Sequence, residues 1–294
     1  MKTLKMNALA FTILAVLFST KSFSQPFVDI LQLNHQRMQT TYDASGNKHV
    51  TQNSFANLML PIQIDSNNVF IFRLNTERMQ YMREQNSDIY YQMIGGLGWQ
   101  HHFNKKWNVT AILMPKITSD LIDPLNKFDY QYGGTLLFQY KPKANIRYKF
   151  GSFYNTEPFG NFFVPLLGVD WQINEKNWVY GNLPLNMRFE HRFADKLYAG
   201  AGVRIYGRSY RISSQGNHDY LWNQENQLKL FADYYITPSM VVYAEAGRSL
   251  GYGLRRFKDG LPRENEILTN PLYQPVKDGF FLNAGFAFRV RRGI

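Results

Sequence analysis

Apolar and polar residues alternate along most of this chain with a period of two, in segments of about ten residues, and the 3.6-residue spacing of amphipathic helices is nearly absent. From Asn226 to Ile236, Leu228, Leu230, Ala232, Tyr234 and Ile236 fall on one face, with Gln227, Lys229 and Asp233 on the other. Leu197 to Tyr210 repeats the pattern: Leu197, Ala199, Ala201, Val203 and Ile205 oppose Tyr198, Arg204, Tyr206 and Arg208. In Val69 to Glu77, Phe70, Phe72 and Leu74 oppose Arg73, Asn75 and Glu77, and in Ile146 to Tyr154 Arg147 and Lys149 share a face. Successive side chains of a strand point to opposite faces, so these are strands with one face toward an apolar medium.

The connections alternate between two lengths. Short turns with Asn, Asp, Pro and Ser chemistry fall at 65–68, 104–106, 141–144, 174–177, 194–196 and 237–239. Longer polar stretches lie between them, at about 39–53, 79–89, 118–129, 156–162, 213–222 and 254–278. A soluble sandwich has no reason to gather its short turns at one end. A barrel inserted from the periplasm does, and the pattern predicts a transmembrane antiparallel up-and-down barrel with short periplasmic turns and longer extracellular loops. A simple reading gives thirteen strands and puts two short turns in succession. Splitting 178–193 near Leu183-Pro184, where proline lacks an N–H for the ladder, restores the alternation and predicts fourteen strands, with twelve the next count.

At the amino terminus Lys2 and Lys5 precede an apolar run from Ala8 to Phe18, followed by small residues up to Ser24. This reads as a secretory signal peptide over 1–24, leaving Gln25 to Ile294 as the barrel domain; a retained anchor needs a longer run. The composition, 45% hydrophobic, 19% charged and without cysteine, excludes disorder, disulfide scaffolds, thiolate zinc sites and a lipidated cysteine. The formal charge of +11 falls to +8 once Lys2, Lys5 and Lys21 are removed. An exported chain meets no nucleic acid, so anionic lipid, lipopolysaccharide or small anionic solutes are the expected partners.

Aromatic residues cluster beside the short turns: Trp99, Phe103 and Trp107 at one, Trp171 and Trp178 at another, Phe193 and Tyr198 at a third. They are candidates for an interfacial girdle, and packing in a soluble core is the alternative. The polar strand faces carry Arg73, Lys116, Arg147, Lys149, Arg188, Arg192, Arg204, Arg208, Lys229 and Arg289 against Glu77, Asp170, Glu190, Asp233 and Glu245. This net-basic lumen reads either as a water-filled path favouring anions or as charges that pair across strands and brace a plugged barrel. The 254–278 loop, with Arg255, Arg256, Lys258 and Arg263, reads as a constriction, a lipopolysaccharide contact or a solvated loop. None of the six histidines has zinc-site spacing or lies in a nucleophile motif, so no enzyme, metal or cofactor is expected.

The last strand sets Phe280, Leu282, Ala284, Phe286, Phe288 and Val290 against Phe281, Asn283, Gly285, Ala287 and Arg289. Its Asn283-x-Gly285-x-x-Phe288-x-Val290 resembles the closing-strand signal of bacterial outer-membrane barrels, which implies handling by the outer-membrane assembly machinery. With the Ser24-Gln25 junction, the Trp171 to Trp178 hairpin followed by Pro184, and the run Asp195 to Val203, the chain resembles uncharacterised outer-membrane barrel families common in the Bacteroidetes. That resemblance implies a location and a fold, and no activity. The expected product is a monomeric barrel for passive diffusion or transport of small solutes; a closed structural or surface-binding barrel, or a lipid-modifying enzyme, are the alternatives.

Overall fold

The computed structural model describes residues 26–41, 48–83, 86–158, 160–213, 219–258 and 277–291. The segment read as a signal peptide and most of the 254–278 loop lie outside them. The strands are β1 (Phe27–Thr41), β2 (Lys48–Gln63), β3 (Asn68–Arg83), β4 (Asn86–His102), β5 (Trp107–Ser119), β6 (Tyr130–Lys143), β7 (Ile146–Glu157) and β8 (Gly160–Asn174). They continue with β9 (Asn177–Leu183), β10 (Asn186–Ala194), β11 (Leu197–Arg211), β12 (Asp219–Tyr235), β13 (Met240–Ser249), β14 (Gly253–Lys258) and β15 (Phe280–Arg291). From β1 to β13 each pairs antiparallel with its sequence neighbours, β13 pairs with β15, and β15 pairs with β1, Val28 opposite Val290, so the wall closes. β13 and β14 occupy one place in the wall: both pair with β12, on either side of a break where Gly251 takes a left-handed φ of 67° that a side chain would resist. The result is a closed fourteen-stranded meander.

The split at Leu183-Pro184 is real: the β9–β10 hairpin turns there. Six short turns, from 64–67 to 236–239, lie at one end with both chain ends of the barrel. The other end differs from the expectation of uniformly long loops. β3 runs to Arg83 and β4 starts at Asn86, and β7 and β8 are paired up to Glu157 opposite Gly160. At that end the outward positions turn polar, as in Arg78 with Gln80 and Gln80 with Ser87, while inward Met79 and Tyr81 stay buried. The apolar-outward alternation therefore fades while backbone pairing continues, and strands of up to 17 residues replace the expected ten.

The wall is not uniformly laddered. β8 meets β9 only from Leu167 downward, opposite Leu183, and β11 meets β10 only up to Arg204, opposite Asn186. Above the short hairpin, β11 bends inward: Arg211 bridges to Ser119 of β5, and the Asp120 N–H donates to the Arg211 carbonyl at 3.0 Å. The 120–129 connection is pinned to the same place, since the buried Asp129 carboxylate accepts from Arg211 at 2.7 Å.

Outward positions carry large exposed side chains, among them Leu97, Leu113, Leu136, Phe163, Leu167, Leu228, Leu230 and Leu282. Inward positions are filled by polar and charged groups between two buried apolar clusters. One, toward the long-loop end, contains Met38, Met79, Tyr81, Tyr90, Tyr210 and Phe281. The other, toward the short turns, contains Phe27, Trp178, Tyr180, Tyr198, Tyr235, Val241 and Tyr243. This is a soluble protein inverted, with grease outside and ion pairs within, as a barrel in hydrocarbon requires.

Candidate functional site: the barrel interior

Inward residues of different strands meet across the interior in a set of ion pairs. Arg208 of β11 reaches Glu77 of β3, far around the wall, at 2.8 Å, with its guanidinium 3.8 Å from the Tyr206 ring centroid. Arg289 is 1% exposed and holds two carboxylates, Asp233 and Asp29, each at 2.6 Å. Arg188 joins the same Asp233 at 3.4 Å and lies over the Phe231 ring. Lys229 and Asn283 both bind Glu245, at 2.8 and 2.9 Å. Lys149 pairs with Asp170 at 2.6 Å, next to Arg147, which donates to Gln139. Lys116 pairs with Glu157 at 3.2 Å. Glu190, fully buried, binds Arg291 and accepts from the Tyr180 hydroxyl at 3.1 Å.

An amide relay adds to these. Gln227 donates to Gln36, and Gln36 donates to the buried Glu225 at 2.9 Å, linking β12 to β1. Arg291 lies 3.7 Å from the Tyr198 ring centroid and 5.2 Å from that of Trp178, so the cluster near the short turns is an aromatic pocket around a guanidinium. These buried groups are held by partners, because an unpaired buried charge is costly.

Two features of the sequence reading change. Trp178 and Tyr198 are each 5% exposed and belong to the interior cluster, not to an outer girdle. Nearness to a turn does not choose a face; parity does, and Trp178 shares the face of Tyr180 while Val179 stands opposite Trp171. Trp99, Phe103, Trp107, Trp171 and Phe193 are exposed beside the short turns. Second, carboxylates left out of the sequence-derived set, Asp29, Asp129, Glu157 and Glu225, take part in the interior network. Three of them sit at strand ends or in segments read as loops, and extending the strand parity through those segments was the signal that would have found them. The excess of basic over acidic groups narrows accordingly. Among the described cations, Arg73 and Arg204 have no carboxylate at ion-pair distance; Arg73 faces Gly96 across the ladder and Arg204 lies over Tyr206. Arg192 sits at a short turn and pairs with exposed Asp195. No cluster of metal-ligating side chains occurs among the described residues.

Closure, inverted polarity and one-ended short turns define a membrane-spanning antiparallel β-barrel. The chain belongs to the family Domain of unknown function (DUF6268), whose model matches residues 35–289. Its fold is similar to that of an outer membrane channel from Pseudomonas putida F1, with a TM-score of 0.51 and 9% identity over 92% of this chain and 98% of that one. NanC porin matches with a TM-score of 0.43 and 10% identity over 88% of this chain and 98% of that one. No curated protein sequence matches the chain.

Proposed function

We propose that the chain is an exported, monomeric outer-membrane barrel that passes small solutes through its interior, with residues 1–24 as its removed leader. Its long-loop end then faces the lipopolysaccharide outside. The observation that carries this reading is what fills the mid-barrel. An interior that only had to be filled is filled without loss, or with a gain of about 1–4 kcal/mol, by apolar side chains of similar volume. Here Arg208–Glu77, Lys229–Glu245 and the Gln36–Glu225 relay fill it instead. Each of these contacts can be exchanged for water or for a passing ion. Arg73 and Arg204, inward cations without a carboxylate at ion-pair distance, support a preference for small anions.

Planar-bilayer recordings test this. The wild-type protein conducts, removal of the cross-lumen pair in Arg208→Ala/Glu77→Ala raises the conductance, and Arg204→Ala lowers anion preference in the reversal potential. The second reading is a closed structural or surface-binding barrel, favoured by the apolar clusters toward both ends. Absence of conductance in the wild type and in both variants selects it.

A further inference from the structure

Along most of this wall, parting two strands breaks a ladder of hydrogen bonds; β14, at the long-loop rim, pairs with β12 alone among the described residues. Between β8 and β11 parting the strands breaks no ladder. Above the β9–β10 hairpin, residues 163–166 of β8 pair only with β7, and residues 206–210 of β11 pair only with β12. A single bond, from the Ile205 N–H to the Leu185 carbonyl at 2.8 Å, closes the top of the hairpin. This stretch lies at hydrocarbon depth, because Phe163 and Leu167 of β8 are 65% and 68% exposed on the outer side. Strand edges without partners at that depth are tolerated only where they line a cavity or are covered by protein.

The side chains on the β8 side of the seam are apolar. The inward residues of β8 here are Val164 and Leu166, both buried, whereas the next inward charge down the strand is Asp170 in its pair with Lys149. Leu183, Pro184 and Leu185 cap the hairpin below. The β8 side of the seam is therefore apolar, while β11 brings Arg208, held by Glu77, and Ser209, held by Gln131. Meanwhile the upper end of β11 is held from inside, by Ser209 with Gln131 at 2.9 Å and by Arg211 with Asp129, so it has contacts to keep when β8 swings away.

We propose that the β8–β11 seam is a lateral gate through which an apolar or single-headed amphiphilic small molecule passes between the barrel interior and the surrounding hydrocarbon. The proposal deepens the solute-passage reading by naming a route and a substrate class. The chain has no cysteine, so single introduced thiols report cleanly. Val164→Cys and Leu166→Cys, each checked for heat-modifiable folding, are exposed in proteoliposomes to a membrane-partitioning maleimide. The controls are Ile71→Cys and Met79→Cys, buried inward positions of β3 that are laddered on both sides.

Seam thiols are expected to react at least about tenfold faster than both controls, the factor given by a difference of about 1.4 kcal/mol in local opening. Decanoate is expected to slow them and glucose to leave them unchanged. Equal rates at seam and control positions overturn the gate whatever the conductance shows. Fast labelling without protection by decanoate overturns the substrate class. Fast, decanoate-protected labelling in a protein that does not conduct supports the gate and removes only the aqueous path.

Discussion

Arg289 shows what a single residue does in this interior. Its guanidinium satisfies Asp233 and Asp29 together and lies 3.6 Å from the Phe27 ring centroid, tying β15 to β12 and β1. Truncation leaves Asp29 without its cation and the buried Asp233 with only the longer Arg188 contact, and Arg289→Ala is expected to destabilise the barrel by about 3–5 kcal/mol. Arg289→Met combined with Asp29→Leu is expected to recover most of that loss, because Asp233 keeps Arg188 and no carboxylate of the group is left without a cation. Urea unfolding in detergent micelles measures both. Asp65, in the exposed 64–67 turn, is the opposite case. The Asn68 amide, with the Asn67 and Asn68 backbone N–H groups, donates to its carboxylate and holds it below the usual carboxylate range. A depressed carboxylate contributes stability above its unfolded value and loses it as pH falls through the folded one. A carboxyl chemical-shift titration is expected to place the Asp65 midpoint below about 3.9, the value of a free aspartate.

At the scale of elements, the closing strand explains its own glycine. Gly285 of β15 stands opposite Tyr243 of β13, and a Cβ there meets the Tyr243 ring and the Leu33 carbonyl within 2.5–2.6 Å. The tyrosine folds over the glycine and donates no room to a side chain, while accepting a hydrogen bond from Gln32 at 2.8 Å. Gly285→Ala is expected to cost about 1–3 kcal/mol, seen as a lower temperature for loss of the compact band on unboiled gels. A variant that melts with the wild type excludes this steric account. Strand length follows different rules in the two halves of the barrel. Inside hydrocarbon the alternation of faces is strict, and the segments Asn226 to Ile236 and Leu197 to Tyr210 were legible from it. Toward the long-loop end the outward residues are polar too, Arg78, Gln80 and Ser87 among them, so the pairing that runs on to Arg83 and Asn86 leaves no apolar-outward trace in the sequence.

For the whole molecule, closure removes most strand edges, those above the β9–β10 hairpin and along β14 excepted among the described residues, and the outer surface is a band of exposed Leu, Phe, Trp and Tyr. Such a surface has no stable state in water alone. The mature polypeptide is therefore expected to be monodisperse in micelles and to aggregate once detergent is removed, which size-exclusion chromatography reads directly. A monodisperse species in plain buffer contradicts the membrane-spanning reading.

Alternation, turn chemistry and the parity of short and long connections were properties of the sequence by itself, and they determined barrel, strand number and the placement of Pro184 in a turn. They are local, set by a period of two and by which residues tolerate a turn, and need no knowledge of what lies opposite. Which groups meet across the interior was decided only in three dimensions, since Arg208 and Glu77, or Arg291 and Glu190, are brought together by closure of the wall and not by spacing along the chain. The same holds for Trp178 and Tyr198, drawn inward around Arg291, and for the seam between β8 and β11, which exists because one hairpin is shorter than its neighbours.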